Sequence, residues 1–171
     1  MQLPAPLQNR WAHPRVRSLP PVHPAAVVDA FAKAGLTASR DLVSLYSQIG
    51  GMDVGDSDDW RLWSPGEVLD EYALAHGGPI AFSDYMIDCW RFYLLPNDED
   101  TCRVLSDYGE GPLREISPSL ESFLGALATD FPRRILDPAS LSGRPPVPNG
   151  GRGGAFGRAT FAVLRKLLGR R

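Results

Sequence analysis

Apolar residues recur at helical spacing in four stretches of the chain. In the clearest one, Leu42, Leu45, Tyr46 and Ile49 stand at i, i+3, i+4 and i+7, just before Gly50-Gly51. This spacing predicts a helix that buries one face and ends on the glycine pair. The other three stretches each begin near a proline or serine suited to a helix N-terminus, and they are 25–34 after Pro24, 65–76 with Ser64-Pro65-Gly66-Glu67, and 117–131 with Ser117-Pro118-Ser119.

Runs of β-branched and aromatic residues predict strands between these helices. The runs are 60–63, 80–83, 87–95 and 101–108. The last two are separated by Pro96-Asn97-Asp98-Glu99-Asp100, which is typical of a turn, so we expect them to be antiparallel neighbours. The predicted fold class is therefore α+β, with an antiparallel or mixed sheet packed by helices.

Composition divides the chain into four segments. Residues 1–24 contain six prolines and are predicted to be an extended or irregular N-terminal extension. Residues 25–132 form the α+β domain, and 133–157 are a linker rich in glycine and proline. In residues 158–171, four apolar residues (Phe161, Leu164, Leu167 and Leu168) are interspersed with five basic ones, which predicts a short basic amphipathic tail helix.

Charge is strongly segregated along the chain. Between residues 41 and 131 there are 18 acidic residues and four arginines, whereas residues 144–171 contain seven basic residues and no acid. An acidic domain repels phosphates, so nucleic acid is excluded as its direct partner. Three interpretations of the tail remain open: it binds an anionic membrane or a partner, it docks on the acidic domain of its own chain, or it only adds solubility.

Residue types that carry catalysis or bind metals do not converge in the sequence. Asp56, Asp58 and Glu67 match positions 1, 3 and 12 of a calcium-binding loop, but Trp60 and Arg61 replace the oxygen ligand and the glycine that such a loop needs. The three histidines are scattered, and no serine lies in a Gly-x-Ser-x-Gly turn. We expect a protein that is not an enzyme and has no cofactor and no metal.

The expected compartment is the cytoplasm. Cys89 and Cys102 are too few for a disulfide framework. The proline-rich start does not resemble a signal peptide, and no run of 18 apolar residues predicts a membrane span.

The acidic stretch from Asp53 to Trp63 is the candidate recognition surface. Trp60 and Trp63 differ by an odd number of residues, so in a strand they point to opposite faces and only one is expected to be fully buried. An exposed tryptophan among carboxylates suits a basic protein partner. The predicted partner-binding residues are Asp53, Asp56, Asp58, Asp59, Trp60, Trp63, Asp84 and Tyr85.

The order of motifs over residues 25–130 resembles the SUKH superfamily, the Smi/Knr-type domain of bacterial immunity proteins and of a fungal cell-wall synthesis regulator. Four motifs carry the resemblance: Tyr46-Ser47-Gln48-Ile49-Gly50-Gly51, Trp60-Arg61-Leu62-Trp63-Ser64-Pro65-Gly66-Glu67-Val68, Ile80-Ala81-Phe82-Ser83-Asp84 and Ser119-Leu120-Glu121-Ser122-Phe123-Leu124.

The resemblance implies an α+β domain without catalytic activity. It further implies an immunity-type protein that binds and neutralises a cognate toxin, for example a nuclease, whose basic cleft carboxylates can occupy. The alternative function is a regulatory adaptor of the cell-wall-regulator type, recruited to a membrane or a complex by its basic C-terminal helix. We expect the weak membrane-surface contact of that alternative to come from the tail.

Overall fold

The computed structural model of the protein describes residues 1–53, 60–75, 78–86, 89–97, 100–107 and 112–130. Its helices are α1 (Ala5–Trp11), α2 (Pro24–Lys33), α3 (Arg40–Tyr46), α4 (Pro65–Ala75) and α5 (Leu120–Asp130). Its strands are β1 (Trp60–Leu62), β2 (Ile80–Tyr85), β3 (Trp90–Pro96), β4 (Cys102–Ser106) and β5 (Arg114–Ser117). The predicted linker and tail helix lie outside the described residues.

The strands form one antiparallel sheet in chain order, β1-β2-β3-β4-β5, within the part of the chain that the structure describes. The α+β class is thus confirmed, with each strand paired to the next along the sequence. Strand β5 is not predicted by the sequence, because Arg114–Ser117 is short and mostly polar. Its position is fixed by pairing with β4, where Leu105 faces Glu115.

Predicted caps are confirmed at α4 and α5, and α3 has a serine cap of the same kind. Ser64 and Glu67 form the reciprocal capping box of α4: the Ser64 amide donates to Glu67 Oε2 at 2.8 Å, and the Glu67 amide donates to Ser64 Oγ at 3.3 Å. Ser39 Oγ accepts from the amide of Leu42 at the start of α3, and Ser119 Oγ accepts from the amide of Ser122 at the start of α5. These signals are readable from sequence because their partners are three residues apart.

The main core lies between one face of the sheet and helix α5. Phe123 of α5 contacts the rings of Trp60, Phe82 and Phe92, with centroids 6.4, 5.9 and 5.2 Å away. These rings come from β1, β2 and β3, so one helical side chain joins three strands. Such aromatic contacts stabilise a core by about 0.5–1.5 kcal/mol each beyond the area they bury.

The N-terminal segment is part of this core, and the prediction that it is extended or irregular throughout is wrong. Residues 5–11 form α1, and Leu3, Leu7 and Trp11 are buried. Trp11 stacks on Trp60 with centroids 5.5 Å apart. The prolines at the start of α1 lie where a helix has no amide partner to lose, so they start the helix rather than prevent it.

The glycine pair after α3 is a crossing point of the backbone. Helix α3 ends at Tyr46, three residues earlier than the apolar spacing predicts. The chain then passes Leu19, whose amide donates to Gly51 O at 2.8 Å and whose carbonyl accepts from the amide of Gly50 at 3.1 Å. The Met52 amide donates to Leu62 O at 2.8 Å. The glycines therefore join the N-terminal segment to the edge of the sheet at β1.

Candidate functional site

Both tryptophans of the candidate recognition surface are buried. Trp60 is 1% exposed and Trp63 is 4% exposed. The prediction that one of them is a surface anchor is therefore wrong. Alternation between two faces exposes a residue only when one face meets solvent, and both faces are covered around Trp60 and Trp63.

Different groups cover the two rings. Trp60 lies in the main core, between Trp11 and Phe123. Trp63, just after β1, lies under the guanidinium groups of Arg61 and Arg91, whose Cζ atoms are 5.6 and 5.5 Å from its ring centroid. A cation over an aromatic face stabilises by about 0.5–2 kcal/mol, more as water is removed.

Asp84 connects these groups through a buried carboxylate. It is 2% exposed, and its Oδ2 accepts from Arg61 Nε at 3.1 Å and from Arg61 Nη2 at 3.0 Å. Trp63 Nε1 donates to the same oxygen. Strand register explains this meeting, because Arg61 and Asp84 are direct cross-strand partners. Asp84 is thus engaged inside the protein, and the predicted Tyr85 beside it is also buried.

Ion pairs continue across the same face of the sheet. Arg61 Nη1 donates to Glu67 at 2.7 Å, and Arg91 Nη1 donates to Glu71 at 2.6 Å, which fastens α4 over β1 and β3. Further along, Arg103 of β4 pairs with Glu115 of β5 at 3.3 Å. We call Arg61, Trp63, Glu67, Glu71, Asp84 and Arg91 the charged cluster. Its opposite charges pair with one another, so the cluster holds α4 on the sheet.

Tyr93 extends the charged cluster towards β4. Its hydroxyl donates to Asp107 Oδ2 at 3.1 Å. Burial, and next the charge of Asp107, raise the pKa of Tyr93 above its ordinary value. Burial likewise raises the pKa of Tyr46, whose hydroxyl donates to the carbonyl of Trp63 at 2.9 Å.

We expect these tyrosines to make the fold sensitive to alkali. The folded pKa is raised, so the stabilisation is fully present below the unfolded pKa of about 10 and is lost as pH rises above it, because the unfolded chain releases the proton first. The loss approaches about 1.4 kcal/mol per pH unit for each tyrosine. Urea denaturation between about pH 10 and pH 12 should show a shallower fall for Tyr93→Phe than for the unmodified protein. Equal slopes would contradict the assignment.

Five strand ends lie together at one end of the sheet, and they are the starts of β1, β3 and β5 and the ends of β2 and β4. Trp60 at the start of β1 faces Tyr85 at the end of β2, and Tyr85 faces Trp90 at the start of β3. Phe92 pairs with Ser106, and Ser106 pairs with Arg114. The residues that enter or link these strand ends are therefore 53–59, 86–89 and 107–113. By sequence they hold seven acids and no lysine or arginine, and the acids are Asp53, Asp56, Asp58, Asp59, Asp88, Asp107 and Glu110.

We call these three stretches the acidic end. Of the predicted site residues in it, Asp53 is described: it lies 3.8 Å from Arg17 in an exposed ion pair. Asp56, Asp58 and Asp59 lie outside the described residues. Asp107 belongs both to the acidic end and to the hydrogen bond with Tyr93.

The acidic end also carries apolar groups that the sequence did not single out. Met86 is 48% exposed and has a positive φ of 52°, a conformation uncommon outside glycine. The half-buried ring of Trp90 stacks on Tyr85 at 5.4 Å. A β-strand pattern could not identify them, because their exposure depends on where β2 ends and β3 begins.

Within the described residues, no group of three or more His, Cys, Asp or Glu side chains is arranged to hold a metal ion. None of the described helices combines the length and the apolar character needed to cross a membrane.

Comparison with models of protein families gave no match, and neither a curated protein nor a solved structure matched the chain.

Proposed function

We propose that this protein is a non-enzymatic binding domain whose acidic end recognises a basic partner protein. The observation that carries the proposal is the strand register, which brings the starts of β1, β3 and β5 and the ends of β2 and β4 to one end of the sheet. By sequence, the stretches next to these strand ends contain seven acids and no lysine or arginine. The strand ends next to these carboxylates are held in place, because the core beneath them joins β1, β2 and β3.

Electrostatics favours a basic protein over other partners. A patch of one sign attracts an oppositely charged protein and raises its association rate, by an amount that falls with salt. The same patch repels the phosphates of nucleic acid. A protein with a phosphate-binding cleft, such as a nuclease, presents the complementary charge.

Apolar anchoring within the acidic end falls to Met86 and Trp90. Binding energy in interfaces concentrates in a few large side chains that become buried on association. Met86 is exposed and flexible, and the Tyr85–Trp90 stack supplies a rigid apolar surface beside it. These two residues take the anchoring role for which Trp60 and Trp63 are too deeply buried.

The resemblance to the SUKH superfamily supports a particular biological role for this surface. We infer an immunity-type protein that acts in the cytoplasm by binding a cognate toxin, with a basic nuclease as the partner that the charge fits best. Neutralisation would then follow from occupation of the toxin's cationic cleft by carboxylates, a mechanism that needs no catalytic residue.

Charge removal at the acidic end tests the proposal. The probe is the protein encoded by the adjacent gene, titrated by calorimetry at low and at physiological salt. We expect the combined change Asp53→Asn, Asp56→Asn, Asp58→Asn and Asp59→Asn to weaken binding by about 10- to 100-fold and to reduce its salt dependence, mainly through slower association.

A second quadruple variant controls for net charge. Asp29→Asn, Asp70→Asn, Asp98→Asn and Glu121→Gln remove the same charge from residues that do not belong to the acidic end as defined above. We expect this variant to bind within about threefold of the unmodified protein, because distant surface charges are screened at physiological salt. Equal weakening by both variants, or no weakening by the first, would refute the acidic end as the binding surface.

A further inference from the structure

An open groove of about 510 Å³ runs between α2 and α4. Its wall on α2 has the spacing i, i+3, i+4, i+7 and i+8, and its floor includes Leu69 of α4. The lining residues of α2 and its C-cap are Ala26, Asp29, Ala30, Lys33 and Ala34. Val27 and Phe31, which are buried in the core, lie beside this stripe. One face of α2 therefore packs on the core, and a neighbouring face lines the groove.

The shape of the groove suits a third helix. Three of its lining residues are alanines, which allow another backbone to approach within the 8–10 Å typical of packed helices. A helix that supplies large side chains would fill the space that the alanines leave. Two helices alone leave such a furrow open to water.

The chain itself contains a segment with the matching pattern. Phe161, Leu164 and Leu168 stand at i, i+3 and i+7 in residues 158–171, which predicts a single apolar stripe on a helix. This segment has five basic residues and no acid. It lies outside the described residues, so its docking is argued from its sequence and from the groove.

Charge and reach both favour this occupant. Glu67 and Glu71 of α4 are paired with Arg61 and Arg91. The other charged residues of the two helices are Asp29, Asp70 and Lys33, which leave a net charge of −1 beside the groove. Residues 131–157 separate the end of α5 from the segment, and an unstructured glycine-rich chain of that length would span about 30 Å on average. A domain of this size has a radius of gyration of about 14 Å, so the linker can reach the groove.

We propose that residues 158–171 dock as a helix in the groove between α2 and α4 of the same chain. Tethering gives the segment an effective concentration in the millimolar range, so a helix of modest affinity stays bound. Its basic side chains then lie near Asp29 and Asp70, and the chain's cationic and anionic parts neutralise each other locally. This contact is separate from the acidic end, and it stands or falls independently of the proposed partner.

Hydrogen–deuterium exchange of the full chain tests the docking. We expect the amides of residues 161–168 to exchange about tenfold or more slowly than a free segment of that sequence. Ala30→Arg, which fills the groove, should restore free exchange. Ala32→Arg is the matched control, because Ala32 is exposed on the same helix and does not line the groove. It should leave the protection unchanged.

A change in the tail checks the same contact from the other side. Leu164→Ser with Leu168→Ser removes the apolar stripe without touching the described fold, and it should release the tail and speed exchange in α2 and α4. The proposal is overturned if the tail of the unmodified chain exchanges freely, or is protected only with anionic vesicles present. It is also overturned if protection depends on protein concentration, which would indicate a second copy, or if Ala30→Arg and Ala32→Arg behave alike.

Discussion

Gly50→Ala is expected to lower the free energy of unfolding by about 3 kcal/mol or more. A Cβ atom at Gly50 would overlap the backbone carbonyl oxygen of Pro20. Backbone cannot turn aside as a flexible side chain can, so the N-terminal segment must move away. Overpacking of this kind costs about 1–3 kcal/mol, and each backbone hydrogen bond lost to Leu19 adds about 1 kcal/mol. Urea denaturation followed by circular dichroism measures the change.

The consequence should reach α1, since displacement of Leu19 loosens the segment that carries Trp11. We therefore expect tryptophan fluorescence of folded Gly50→Ala to shift towards that of solvated indole. Gly125→Ala is the matched control: Gly125 is inside α5, and a Cβ there meets nothing within 4 Å. That change should be neutral or stabilising by up to about 1 kcal/mol. A Gly50→Ala protein as stable as the Gly125→Ala protein would refute the crossing.

The full role of the glycine pair cannot be predicted from the local sequence. A pair of glycines after a helical run predicts a helix end, which is a local role. The larger role of Gly50 and Gly51 depends on contacts 30 residues earlier, at Leu19 and Pro20, and 13 residues later, at Ser64, whose Cα would lie 2.8 Å from a Cβ on Gly51. No local pattern encodes these approaches.

Helices and caps were predictable because their determinants lie within one or two turns. Helices α2 and α4 begin within one residue of their predicted starts and end within one of their predicted ends. The sequence does not predict helix α1, because prolines usually break a helix, whereas Pro4 and Pro6 stand at its N-terminus, where proline is tolerated.

Exposure at the candidate site was less predictable, because it depends on what covers the sheet. The period-2 rule correctly places Trp60 and Arg61 on different faces, but it gives no information about the cover on each face. Trp11, in the N-terminal segment, covers part of one face by stacking on Trp60. Helix α4 covers part of the other face through Glu67 and Glu71. We therefore propose the strand ends, rather than the tryptophans, as the binding surface.

Asp84→Leu is expected to lower the free energy of unfolding by about 3–5 kcal/mol. The carboxylate of Asp84 holds the Arg61 guanidinium and the indole N–H of Trp63. Its removal leaves a half-buried positive charge without that partner, although Glu67 continues to accept from Arg61 Nη1. Removing one member of a buried ion pair is strongly destabilising for this reason. Urea denaturation at neutral pH measures the loss.

The double change Arg61→Leu with Asp84→Leu separates the stranded charge from the lost packing. If the penalty in Asp84→Leu comes from the unpaired guanidinium, removing that guanidinium as well should recover about 2 kcal/mol or more. The capping box of α4 survives in the double variant, because Glu67 still binds the Ser64 amide and hydroxyl. Additive losses from the two single changes would mean that the pair does not act as a unit. Partial recovery would show that the charged cluster mainly orients α4 and Trp63 on the sheet and adds little net stability. In that case we expect the double variant to bind the proposed partner normally through the acidic end.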